Sequence, residues 1–354
     1  FFQAEDGIRD SSTSRGLGDV YKRQVYIVDK MLSKCPDIKQ MQKAKKSLSG
    51  RIVSTPVLEL TGSKIFPLLP KGSNVRMKME LFQHTGSFKS RGVLLALDKL
   101  SIKQKENGVV AVSAGNHALA VSWASKCCGV NAKVVMLETS DPLRIQGCKD
   151  HGAEVILCKD VKNAFELMDQ IALSENRTIL QPFDSESMVL GSASCGLEII
   201  ENFPELDIAI VPVGGGGLIA GIASAIKKTK PSTIIYGVEP EGADSMYRSF
   251  QKEKAIKLEK VETIADSLGS PMAMDYSFGV VHEFVDAIVR VKDDELKSAL
   301  NLMRDQLNLI VEPACAASLA GLLGPLKELV VGKAISIIAC GSNISFNRYA
   351  KLVE

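Results

Sequence analysis

Seven short apolar runs, most of them separated by stretches with helical patterning, constrain this chain more than any other feature. The runs are VRMKMELF (75–82), GVVAVSA (108–114), AKVVML (132–137), EVILC (154–158), IAIVPVG (208–214), TIIYGVE (233–239) and AISIIAC (334–340). Helical patterning fills 87–100, 116–128, 162–173, 188–201, 217–229 and 294–307. Strand alternating with helix predicts an α/β fold with parallel-rich sheets flanked by helices. The runs are apolar almost throughout, as strands buried on both faces are. Sheets of this kind place ligands beyond the carboxyl ends of their strands, so the strand-to-helix turns are where chemistry is to be sought.

With 354 residues the chain exceeds one small core, and two lobes are expected. It is 45% hydrophobic and 24% charged with a net charge of +2, and its basic residues are spread among acids. No nucleic-acid partner and no membrane association are expected, because neither a basic stripe nor an apolar run of spanning length is present. The eight cysteines show no paired CxxC spacing and read as reduced thiols, which makes the cytoplasm the default compartment. Residues 1–24 show no periodicity and look like a translated sequencing adapter, so they are expected to be an artefactual or disordered lead and are set aside. An organelle signal at the native start is therefore not excluded. From 25 to 48 the pattern predicts a helix interrupted at Pro36.

Four turns stand out. The first, Thr85-Gly86-Ser87-Phe88-Lys89-Ser90-Arg91-Gly92, places Lys89 at a helix start. A lone lysine is most often a solvated surface charge. Here Gly86 and Ser87 allow a tight capped turn, and the positive end of the helix dipole favours the neutral amine that Schiff-base chemistry needs. The second, Ser113-Ala114-Gly115-Asn116-His117, joins a strand to a helix whose free N–H groups suit a carboxylate, although an ordinary capped turn reads equally well. The third is Gly214-Gly215-Gly216-Gly217, whose backbone N–H groups can close on a phosphate. Gly215, Gly217 and Ala220, with Glu239 ending the next strand, also satisfy a relaxed dinucleotide fingerprint, which keeps a NAD-dependent dehydrogenase open as a distant alternative. The fourth, Cys340-Gly341-Ser342-Asn343, ends the last run, where a core cysteine is the commoner reading.

In this order the four segments resemble the fold-type II pyridoxal 5′-phosphate (PLP) enzymes, which are tryptophan synthase β-like, and in particular the serine/threonine dehydratase and serine racemase family. The resemblance runs from about residue 30 to the end. It implies that Lys89 carries the cofactor as a Schiff base and that Phe88 packs against it. Asn116 would bond the pyridine 3′-oxygen, Gly214 to Gly217 would hold the phosphate, and Cys340 would face the pyridine nitrogen, with Glu312 on the cofactor face. Ser113, Gly115, Asn116 and His117 would line the substrate carboxylate site. A large domain of 25–100 and 184–354, a small mobile domain of 101–183 and a homodimer are also implied. The activity implied is that of an ammonia-lyase turning the small-molecule substrates L-serine or L-threonine into a 2-oxo acid and ammonia.

Departures from the family pattern refine this expectation. Resembling racemases carry Ser where this chain has Ala114, and Ala moves no proton, so dehydration is favoured over the alternative, serine racemase activity. Ser267, Cys315 and the segment 266–278 also depart, which keeps open a dehydratase of another β-hydroxy amino acid. The family's cation site resembles Glu239 to Asp244, with Glu239 and the Ala243 carbonyl as ligands for Mg2+ or another divalent cation. Ser245 stands where a further acid is expected, and hard cations prefer several oxygen ligands.

Overall fold

The computed structural model describes residues 35–354, so the lead 1–24 and residues 25–34 of the expected first helix lie outside the described residues. In chain order the strands are β1 (Val57–Glu59), β2 (Asn74–Lys78), β3 (Val109–Val112), β4 (Ala132–Leu137), β5 (Glu154–Cys158), β6 (Thr178–Ile179), β7 (Ile208–Pro212), β8 (Ile234–Pro240), β9 (Ala287–Val291) and β10 (Ala334–Ile338). They form a six-stranded sheet in the order β1-β2-β10-β7-β8-β9 and a four-stranded sheet in the order β5-β4-β3-β6. The β1–β2 pair is antiparallel, and the other pairings are parallel. The last strand, β10, inserts between β2 and β7. Because these strands run the same way, the turns after β2, β7, β8 and β10 open at one edge of the sheet. Those turns carry Lys89, the four glycines, the Glu239 loop and Cys340.

The core explains the strand pattern. All five residues of β7 are buried, as are Ile335, Ile337 and Ile338 of β10. Helices Lys89–Asp98 and Glu186–Asn202 pack closely enough that a Cβ on Gly191 would lie 2.3 Å from the Gly92 nitrogen. That approach brings Arg91 onto Glu198, and each Arg91 guanidinium nitrogen finds an acceptor. Nε and Nη2 donate to Glu80 at 2.8 Å, Nη1 and Nη2 to Glu198 at 2.8 Å, and Nη1 to Ser194 Oγ at 3.0 Å. Lys78 completes this buried network by donating to Glu198 at 2.6 Å and to the Thr55 carbonyl at 2.7 Å.

Three strands and six of the described helices escape the sequence pattern, the helices being Ile102–Asn107, Pro142–Asp150, Ser245–Lys252, Asp275–Phe284, Pro313–Leu323 and Phe346–Val353. Strands β1 and β6 span three and two residues, β9 is an apolar run broken by Arg290, and helix Pro313–Leu323 is buried almost all round, which erases amphipathic periodicity. Helix Pro142–Asp150 follows an Asp141 cap and a proline at its first position, a start signal too brief to weigh. Helix Asp275–Phe284 is held at its start by Asp184, which accepts from the Ser277 nitrogen at 2.8 Å. The run 75–82 also overshoots. The chain leaves the sheet after Lys78 and turns through a short 3-10 helix, Glu80–Phe82, because Glu80 is drawn into the buried charges.

Candidate active site

A cavity of about 240 Å³ lies at the shared strand edge, lined by Phe88, Lys89, Ser113, Ala114, Gly115, Asn116, His117, Gly214, Gly215, Gly217, Glu312 and Cys340. The sequence-derived site residues are thus gathered from five turns into one space, with Gly216 inside the same loop. Glu239 and Ala243 sit in the neighbouring loop and do not line the cavity.

Lys89 opens helix Lys89–Asp98 at the end of a turn stitched to the β10 end. The Phe88 nitrogen donates to the Cys340 carbonyl at 3.3 Å, the Ser342 nitrogen donates to the Gly86 carbonyl at 2.9 Å, and Ser87 bridges Gly341. The Lys89 ammonium donates to the Pro182 carbonyl and lies 5.1 Å from the centre of the Phe88 ring. Burial pushes its pKa down to about 8, against the opposing pull of Cys340 and Glu312. Desolvation, which disfavours the charged form, therefore dominates where the sequence suggested the helix dipole.

The glycine loop is shaped by what stands over it. A Cβ on Gly215 would fall 2.3 Å from the Phe183 ring, and one on Gly217 2.7 Å from the Phe183 carbonyl. Gly216 has φ +89° and begins helix Gly217–Thr229. The first N–H groups of that helix have no intrahelical acceptor, so they supply donors and a positive dipole end for an anion. Only residues without side chains leave such a cradle open.

At the second turn the Ser113 hydroxyl accepts from the Gly115 nitrogen at 3.1 Å. Asn116 is oriented from both sides. Its Nδ2 donates to Glu312 at 2.6 Å and its Oδ1 accepts from Asn343 at 2.7 Å. The His117 ring lines the cavity with its Nε2 donating to the Leu180 carbonyl at 2.9 Å and its Nδ1 without a partner. Burial and the nearby Lys89 push its pKa down to about 3, so the ring stays neutral. The first N–H groups of helix Asn116–Cys128 have no intrahelical acceptor and are the donors this turn offers to an anion.

Arg144, Pro182 and Phe183 also shape this region and carried no signal in the sequence, while Asp266 and Asn343 lie in segments the sequence singled out without a role of their own. Arg144 is buried and donates to Asp266 Oδ2 and Glu312 Oε2, both at 2.8 Å, and to the Asn343 carbonyl at 2.7 Å. Burial and the Cys315 and Glu312 charges raise the Cys340 thiol, so it remains a neutral group.

The cation expected at Glu239 and Ala243 is not supported. Both Glu239 oxygens are taken by backbone donors, the nitrogens of Met246 at 2.9 Å and Tyr247 at 2.7 Å. Burial pushes this carboxyl up to about 8, with Asp244 adding to the rise and the two amides and Arg290 opposing it. Among the described residues no group of three or more His, Cys, Asp or Glu is arranged to hold a metal ion. The same engagement removes Glu239 as a ribose-binding acid, which leaves the dehydrogenase alternative without its second feature.

The glycine cradle, the enclosed lysine and the neutral thiol fit a phosphate-tailed aldehyde, and comparison with known proteins decides the family. The family model described as "Pyridoxal-phosphate dependent enzyme" matches residues 48–341. This chain belongs to that family. It is 40% identical over 316 residues to phenylserine dehydratase of Ralstonia pickettii, covering 89% of this chain and 96% of the relative. It is 33% identical to L-threonine ammonia-lyase of Thermotoga maritima, covering 90% and 77%. Maize serine racemase superposes with a TM-score of 0.84 at 30% identity, covering 90% of this chain and 96% of that one. The chain is a fold-type II enzyme of the serine/threonine dehydratase group. No described helix is long and apolar enough to cross a membrane.

Proposed function

We propose that this PLP enzyme is an ammonia-lyase that removes water from L-β-hydroxy-α-amino acids to give a 2-oxo acid and ammonia. The observation that carries the reading is one enclosed lysine, with its pKa pushed to about 8, sharing a cavity with a glycine cradle and a wall residue, Ala114, that has no proton to give. Residues Gly214 to Gly217 would hold the phosphate, Lys89 the aldehyde carbon, Asn116 the ring oxygen, and Phe88, Glu312 and Cys340 the rest of the ring. When bound, the cofactor supplies an electrophilic carbon for amines and an electron-withdrawing ring.

The protein's own groups do the rest. Backbone N–H groups after Gly115 receive the substrate carboxylate at a helix start. With the cofactor bound, the Lys89 amine would be the base for the Cα proton, and an amine with a pKa near ambient pH both accepts and returns a proton well. The Cβ–O bond would break as the hydroxyl takes the proton held by Lys89 and leaves as water, and the released enamine would tautomerise to an imine that water hydrolyses to the 2-oxo acid and ammonia. Cys340 stays neutral and does not protonate a pyridine fully, which favours prompt elimination over transamination. The stretch 101–183 is the proposed closing lobe, since part of its sheet packs on a separate cluster of Val110, Val135, Cys158, Ala164, Met168 and Ile171.

The wall facing the substrate side chain narrows the choice. Val112, Ala114, Phe183, Leu268 and Pro271 line the cavity, and Arg144 is already paired with Asp266 and Glu312. An apolar β-substituent, the methyl of L-threonine or the ring of phenylserine, fits this wall better than a second carboxylate, which would find no unpaired arginine. The test is release of ammonia and oxo acid from L-serine, L-threonine, L-threo-phenylserine and 3-hydroxyaspartate. Threonine and phenylserine are expected to lead. A yellow protein that makes no oxo acid from any of the four would end the proposal.

A further inference from the structure

The loop after β8 contains an arrangement that the proposed chemistry does not use. Asp244 is 1% exposed, and both of its oxygens meet guanidinium groups. Oδ1 accepts from Arg248 Nε at 2.7 Å and Oδ2 from Arg290 Nη1 at 3.0 Å. Arg290 stands on β9 directly in register with Glu239 on β8, and its guanidinium lies 4.2 Å from the centre of the Tyr247 ring. It therefore reaches from the edge strand across the loop where resembling enzymes bind a divalent cation. Glu239 has turned its oxygens to the start of helix Ser245–Lys252, and Ser245, uncharged and with a buried hydroxyl lacking a partner, stands where a further acid would be needed.

Hydrogen-bond counting favours the guanidinium over a metal. Asp244 already accepts from two arginines and Glu239 from two backbone amides, so the acids of the loop are engaged without a cation. A divalent cation needs six or more oxygen ligands for calcium, or near-ideal octahedral geometry for magnesium. To enter here it would have to displace Arg290 from Asp244 and two amides from Glu239, exchanging formed hydrogen bonds for an incomplete shell.

We infer that Arg290 is a built-in substitute for the divalent cation, so that this enzyme holds its β8 loop, and the cradle beside it, with no metal. The link to the cradle runs through helix Ser245–Lys252, which Asp244 precedes and whose Tyr247 ring lies against Arg290. Met246, whose nitrogen is held by Glu239, presses its methyl toward Gly216, where an added Cβ would lie 2.7 Å from it. Loss of the Arg290 clamp should be felt as weaker retention of the cofactor. That second consequence rests on the cradle being the phosphate site, whereas metal independence does not.

The test begins with the unaltered holoenzyme. Its thermal midpoint is measured after exhaustive dialysis against EDTA and again with millimolar Mg2+ or Ca2+. Neither treatment is expected to move the midpoint by more than about 2 °C. A fall on chelation or a rise on cation addition beyond that overturns the inference. The second arm is the pair Arg290→Ala and Ser245→Asp in one chain, with Arg290→Lys as the control that keeps a positive charge. The double variant should melt lower than the parent, regain the lost degrees with Mg2+ or Ca2+, and bind added pyridoxal phosphate more weakly unless the cation is present. Arg290→Lys should stay indifferent to cations. A folded double variant that ignores cations, or an Arg290→Lys that responds to them, would count against Arg290 as the group that replaces the metal. Cation effects as inferred with no change in cofactor affinity would instead remove the cradle link, leaving metal independence standing.

Discussion

Removing the Arg91 guanidinium offers the most demanding check on how the Lys89 turn is held. Arg91 lies two residues after Lys89, about 200° further round the helix, so it anchors the face opposite the cavity. It is fully buried and donates to Glu80, Glu198 and Ser194, while Lys78 pairs with Glu198 and lies 3.9 Å from Glu80. Two positive and two negative groups share this dry space. Replacing Arg91 by Met leaves both carboxylates facing one lysine, a buried charge without compensation. Breaking a buried pair in this way costs about 3–5 kcal/mol, out of a total stability of roughly 5–15 kcal/mol. The urea midpoint of Arg91→Met should fall accordingly, followed by fluorescence and by the visible absorbance of bound cofactor. A second substitution, Glu80→Leu, restores neutrality around Lys78 and Glu198 and should recover part of the loss. The network also carries a pH signature. Burial raises the Glu80 carboxyl, but the Arg91 guanidinium and Lys78 outweigh it and hold the group below the usual carboxylate range. A depressed carboxyl contributes stability above its unfolded pKa and loses it as pH falls through the folded value. The parent should therefore lose more stability on acidification than Arg91→Met. An Arg91→Met midpoint within about 1 kcal/mol of the parent, or a double variant no better than the single one, would refute the coupling.

Three further outcomes follow from the cavity. Gly215→Ala should weaken cofactor binding at least severalfold by equilibrium dialysis, because the new methyl meets the Phe183 ring at 2.3 Å, and Phe183→Ala in the same chain should restore part of it. For Lys89, folded at about 8 against 10.5 when free, the unfolded chain binds more protons between those values, so the cost of burying the amine is present below pH 8 and fades as pH rises to 10.5. Apo Lys89→Met should accordingly melt above the apo parent at pH 7 and lose that advantage by pH 10; an advantage that grows with pH would reverse the reasoning. Ala114→Ser should add measurable racemisation of L-serine, and chiral chromatography finding none would remove the argument from the missing hydroxyl.

The chemical centre was legible because it is built from local turns. A lysine at a helix start, a run of four glycines and a Ser-Ala-Gly-Asn turn each carry their reason in adjacent residues, and each sits at a strand end that apolar runs announce. Positions set by distant partners were not legible in the same way. Arg144 draws its role from Asp266 and Glu312, more than 120 residues away in the chain, and Phe183 from glycines more than 30 residues on. The partner of the His117 ring was not legible for the same reason, since its engagement with Leu180 arises only when β6 joins β3.

Sequence alone determined the α/β alternation, the family, the lysine and the glycine cradle, because periodicity and turn chemistry are properties of neighbours. Tertiary structure decided the state of those groups. It set the lysine near pH 8 through burial, kept the His117 ring neutral, and filled the expected cation loop with an arginine from the adjoining strand. Desolvation and charge pairing depend on what surrounds an atom in space, and the order of residues along the chain does not state it.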